Sequence, residues 1–120
     1  MKKAIVLALS LISTLLLVGS APTPARAEDE PRVVVITAKR FEFTPASITL
    51  KRGETAKLLV TSEDVTHGFF QRALKIDSDL PPGKTSEFTV TPETAGTFTI
   101  ICHHFCGAQH AAMKMTVVVE

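Results

Sequence analysis

The residues able to do chemistry crowd into one stretch, ICHHFCGAQHAAM at 101–113, which holds both cysteines, three of the four histidines and one of the three methionines. Thiolate, imidazole and thioether form a soft ligand set. Such a set suits copper, above all reduced copper, and not calcium or magnesium, which take oxygen. Cys102 and Cys106 have three residues between them, His110 follows Cys106 by four, and Met113 follows His110 by three. One tight loop can aim all four side chains at a common point, but a loop alone leaves the site open on one side. His67, in EDVTHGFF, is the remaining histidine and is expected to close it.

Several readings fit these residues. A cysteine pair this close in an exported protein is often a disulfide, and outside the cytosol the alternative is a pair of thiolates protected by metal. Two cysteines and two histidines are also a structural zinc set, but zinc sites pair their ligands at short spacings, whereas His67 stands alone and Met113 would have no part. A mononuclear blue copper centre needs one cysteine, two histidines and a long axial methionine. Cys106, His110, Met113 and His67 would satisfy it, leaving Cys102 an idle thiol beside a redox metal and open to oxidation. Two thiolates bridging two copper ions use every soft ligand.

The elements that must position these residues can be read along the chain. Lys2 and Lys3, a 15-residue apolar run over 4–18 and the ending Ala25-Arg26-Ala27 have the form of a cleaved secretory signal peptide over 1–27, removed before Glu28. An uncleaved anchor is the alternative, against which the Ala-x-Ala ending speaks. The expected mature chain, 28–120, has 93 residues, enough for one domain without a disulfide. Without Lys2, Lys3 and Arg26, the 13 basic residues fall to 10 against 12 acidic ones, a formal charge of −2 that points away from nucleic acid. No later segment reaches membrane-spanning length.

After a polar lead-in come RVVVITA, ITLKRGE, AKLLVTS, SEFTV, GTFTIIC and MKMTVVV, each rich in Val, Ile, Thr or Phe and bounded by Pro45, Gly53, Pro81-Pro82-Gly83, Pro92 and Gly96. Phe88 and Val90, like Phe98 and Ile100, alternate with polar neighbours, giving each strand one buried face. The expectation is an all-β, antiparallel sandwich with Greek-key character. The quoted stretch then becomes the loop between the last two strands, held at both ends by the core.

DVTH at 64–67, LKIDSDLPPGK at 74–84 and CHHFCGAQHAAM at 102–113 together resemble the cupredoxin domain of cytochrome c oxidase subunit II and nitrous oxide reductase, which carries the dinuclear copper centre CuA. The resemblance runs from about Val33 to Val119. It implies a cupredoxin-like sandwich over 28–120 with a metal loop at 102–113, two copper ions bridged by Cys102 and Cys106, and His67 and His110 each completing one of them. Met113 is then a weak axial ligand, with the backbone carbonyl of His104 opposite. The implied role of His104 is confined to its main chain, His103 has none and faces solvent, and Met115 packs in the final strand.

The same resemblance implies an electron carrier and not an enzyme, working beside a c-type cytochrome or a terminal oxidase or reductase, and able to serve as an accessory part of an oxidase complex. Periplasmic or other exported location goes with it. A copper chaperone or store, and a mononuclear blue copper carrier, are the other functions these residues fit. The chain has no Trp or Tyr, so Phe69 is expected to receive electrons. Small residues around His110 form an expected electron port, and Glu63, Asp64, Asp77 and Asp79 an acidic docking face.

Overall fold

The Val- and Ile-rich run RVVVITAK forms the first strand, β1 (Arg32–Lys39), with Ile36 and Ala38 turned into the core and Val33 and Val35 left exposed on the other face. The computed structural model describes residues 17–21 and 30–120. The expected signal peptide lies almost wholly outside the described residues.

Eight more strands follow: β2 (Glu42–Thr44), β3 (Ser47–Leu50), β4 (Ala56–Ser62), β5 (His67–Gln71), β6 (Ile76–Leu80), β7 (Thr85–Val90), β8 (Gly96–Ile101) and β9 (Lys114–Val119). They make two sheets, ordered β2-β1-β4-β7 and β3-β9-β8-β5-β6. β4 buries every second residue, Ala56, Leu58, Val60 and Ser62, and β9 does the same with Met115, Val117 and Val119, the alternation required of a sheet with one face on a core. Between the layers, Phe69 meets Phe43 and Phe88, with ring centroids 5.6 and 5.2 Å apart.

The all-β sandwich is as expected, but the strand directions are not uniformly antiparallel. β1 runs parallel to β4, and β3 parallel to β9. In both cases the chain crosses to the other layer before it returns, so the paired strands are not hairpin neighbours. Three strands also escape the sequence reading. EFT is only three residues long, HGFFQ lacks any β-branched residue, and IDSDL alternates acidic residues with its buried Ile76 and Leu80.

Candidate metal centre

The site is built where β8 leaves its sheet. Cys102 N–H donates to Met113 O at 3.1 Å, closing the base of the loop over 102–113. Its second half winds into one 3-10 turn, in which His110 N–H bonds Gly107 O and Met113 N–H bonds His110 O. Residues three apart lie one above the other in such a turn, so His110 and Met113 come to the same side. His67 arrives from the neighbouring strand in the same sheet, as the first residue of β5, and is fully buried.

These side chains converge. Cys102 Sγ and Cys106 Sγ lie 3.6 Å apart, with neither in a disulfide. Cys102 Sγ has His67 Nδ1 at 4.0 Å, and Cys106 Sγ has His110 Nδ1 at 3.9 Å. Met113 Sδ is 3.9 Å from Cys106 Sγ, and the His104 carbonyl oxygen is 3.2 Å from Cys102 Sγ. Every sequence-predicted site residue is thus in the cluster, with His104 contributing its main chain. Each sulfur has a histidine ring nitrogen beside it. The ligand atoms of His67, Cys102 and Cys106 lie within 4.8 Å of one another, and His110 stands outside that triplet.

The donor set fits a soft metal. Metal–thiolate bonds of about 2.3 Å let one ion touch two sulfurs up to about 4.6 Å apart, a span the 3.6 Å separation satisfies. Burial, and then the Cys102 thiol beside it, pushes the Cys106 thiol up to about 11, with Asp64 adding to the shift and Arg40 opposing it. A buried thiol that resists ionisation needs a positive partner to become a thiolate.

The supports lie around this cluster. Asp64 Oδ1 is 2.6 Å from His67 Nε2 and accepts the Val65 N–H, while Oδ2 accepts the Arg40 N–H. Burial alone would push the Asp64 carboxyl up, but the Arg40 and Val65 N–H groups and the His67 ring outweigh it and hold it at about 2. An ionised Asp64 keeps the imidazole proton on Nε2 and leaves the Nδ1 lone pair facing Cys102. Gly68 N–H donates to Cys102 Sγ at 3.2 Å. A Cβ on Gly68 would lie 2.5 Å from His104 N and 2.6 Å from His103 N, so glycine is required for β5 to approach the loop this closely.

A family description, Cupredoxin-like domain, matches residues 7–119. The chain belongs to that family. This cupredoxin is 33% identical over 87 residues to cytochrome c oxidase subunit 2 of Thermus thermophilus, covering 72% of this chain and 64% of the relative. It is 32% identical over 91 residues to nitrous-oxide reductase of Cupriavidus necator, covering 72% of this chain and 14% of the relative. The cupredoxin therefore spans less than two thirds of the length of these curated relatives. Among solved structures, the periplasmic domain of oxidase subunit II (CoxB) of Bradyrhizobium japonicum superposes with a TM-score of 0.68 at 20% identity, covering 74% of this chain and 83% of that one. The homology to oxidase subunit II and nitrous-oxide reductase agrees with the histidine and two cysteines gathered as in a CuA site.

One expectation about the site is corrected. Phe69 is fully buried between the sheets and offers no surface to a partner. His103 is exposed, as expected, with its Nε2 3.0 Å from Asp77 Oδ1 and its ring against Phe70. Glu63, Asp64, Asp77 and Asp79 are all exposed, and three of them also have partners at the site: Asp64 serves His67, Asp77 pairs with His103, and Asp79 Oδ1 lies 3.4 Å from His104 Nδ1. The sequence reading also missed Asp64, Gly68 and Arg40 as supports. An Asp three residues before His67 in DVTH was the available signal for the first of these contacts, since that spacing lets the carboxylate reach back to the ring.

Proposed function

We propose that this cupredoxin is an exported single-electron carrier that holds two copper ions in a CuA-type centre. Residues 1–27 act as a leader, and 28–120 form the working domain. Cys102 and Cys106 are shared by both ions, His67 and His110 each serve one, and Met113 and the His104 carbonyl stand at either end. The observation that carries this reading is the convergence of both sulfurs and both histidines: the sulfurs lie 3.6 Å apart, with His67 Nδ1 4.0 Å from Cys102 and His110 Nδ1 3.9 Å from Cys106. A single blue copper on Cys106 would leave the neighbouring Cys102 thiol without a part. When bound, copper supplies reversible one-electron chemistry. The chain contributes fixed ligand positions, a buried environment and hydrogen bonds to sulfur and imidazole, which limit rearrangement between oxidation states.

Electrons pass most directly at His110. It is half-buried and surrounded by exposed Ala108, Ala111 and Ala112, and Phe105, 76% exposed, lies with its ring centroid 5.9 Å from the imidazole. This uncharged, partly apolar rim suits close contact with a c-type cytochrome or with a terminal oxidase or reductase.

Reconstitution with copper, metal counting and paramagnetic resonance test the reading. Two coppers per chain sharing one unpaired electron are expected. A single blue copper site refutes it, and so does a diamagnetic copper(I) complex that hands its metal to an acceptor without cycling, which would make the protein a chaperone. Cys102→Ser separates the cases further: a dinuclear centre is lost, whereas a blue site survives in altered form.

A further inference from the structure

The ligands come from one sheet, with His67 first in β5, but two of their supports reach in from the side of the other layer. Cys102, Cys106, His110 and Met113 hang from β8 and β9 in the five-stranded sheet. Asp64, which holds His67, lies on the connection from β4 in the other sheet to β5. Arg40, at the turn from β1 to β2, touches both. Its backbone N–H donates to Asp64 Oδ2 at 2.8 Å, and its side-chain Nε–H donates to the Cys106 carbonyl at 2.9 Å. Among the described residues, that second bond is the one side-chain hydrogen bond from the β2-β1-β4-β7 layer to the metal loop. The next residue reinforces it, because Phe41 packs on Gly107 so closely that a Cβ there would come within 2.8 Å of its ring.

Resting on the two-copper reading, we infer that Arg40 is a positioning residue that fixes the separation of the two half-sites. One residue binds the support of His67 through its main chain and the backbone of Cys106 through its side chain, so neither half can drift without straining a hydrogen bond. Arginine suits the task because Nε is part of a rigid planar group that points its N–H in a fixed direction. A lysine ammonium in its place keeps the charge but has no donor at that position on the stem. Asp77 and Asp79 clamp His103 and His104 from within the same sheet and do not bridge the layers.

Arg40→Met and Arg40→Lys test this in the full chain, since both keep the backbone N–H to Asp64. In the copper-free protein, amide exchange over 106–110 is expected to speed up by about tenfold in both variants, the size of one lost hydrogen bond, while exchange over β4 and β9 stays as in the wild type. After copper loading, both variants are expected to bind the same amount of metal but to show changed hyperfine splitting, because the two ions no longer share the electron as before. Wild-type exchange and splitting in either variant overturn the inference. So does full restoration by Arg40→Lys alone, which would assign the effect to charge, or a uniform rise in exchange across the core, which would make Arg40 a general stabiliser. If the wild type itself takes up one copper, the two-copper reading fails, yet the exchange comparison still decides whether Arg40 clamps the loop.

Discussion

Gly68→Ala is the sharpest perturbation the structure offers. A Cβ at this position would lie 2.2 Å from His103 Nδ1, 2.5 Å from His104 N and 2.6 Å from His103 N. The imidazole can swing away, but the two main-chain nitrogens cannot, so the 102–104 backbone must retreat by roughly 1 Å to recover ordinary contact. That retreat also stretches the Gly68 N–H to Cys102 Sγ bond, now 3.2 Å, beyond useful length. Overpacking of this kind costs about 1–3 kcal/mol, and the lost hydrogen bond adds about 1 kcal/mol. A loss of about 2–4 kcal/mol, at about 4–8 °C per kcal/mol for a domain this small, lowers the copper-free melting temperature by at least about 8 °C. Denaturant unfolding of the copper-free domain measures the loss, and copper titration against a competing chelator measures the site. Because the displacement pulls Cys102 from His67, copper affinity should fall by about 10–100-fold, as for other disturbed ligand supports. Wild-type stability in the variant would refute the close approach of β5 to the loop. Lower stability with unchanged copper affinity would refute the claim that this approach sets the position of Cys102.

Other outcomes follow from the same geometry. Asp64→Asn should weaken copper binding by about 10–100-fold by loosening the tautomer and orientation of His67. The Asp64 carboxyl is held at about 2, below its ordinary 3.8, so its contribution to copper-free stability is present above pH 3.8 and is lost as pH falls through 2. Acid titrations of wild type and Asp64→Asn should therefore converge at the lowest pH, and a gap that widens there would contradict this sign. Because burial and Cys102 raise the Cys106 thiol to about 11, copper uptake at neutral pH must expel its proton. Calorimetry in buffers of different ionisation enthalpy should show at least one proton released per chain, with apparent affinity falling as pH is lowered. Phe105→Ser should leave stability within about 0.5 kcal/mol and the copper spectrum unchanged, while electron transfer with a c-type cytochrome slows by about tenfold if the exposed ring anchors docking; an unchanged rate would move the port elsewhere.

The metal loop was legible because its ligands are local. Four of them fall within 102–113, and their types and spacing already restrict the chemistry. The fold class was legible from alternation in strands such as AKLLVTS, but alternation assigns faces and not partners, so the parallel pairing of β1 with β4 and of β3 with β9 was invisible. Phe69 is the instructive error. His67 and Phe69 are two apart in β5, and a period of two places both on one face. Had HGFFQ been assigned as a strand, an inward His67 would have required an inward Phe69. Arg40 could not have been found at all, because its contact with Cys106 spans 66 residues and depends on how the two layers meet.

The charges at the site bear on what it can hold. Two thiolates 3.6 Å apart, both buried, with the ionised Asp64 behind His67, make a concentration of negative charge that the fold alone resists. The raised Cys106 thiol expresses that resistance. Metal held by Cys102 and Cys106 would supply the positive charge that two buried thiolates need, since an uncompensated buried charge is costly. The contacts made by Asp64, Gly68 and Arg40 are what hold these charged and ligating groups in register.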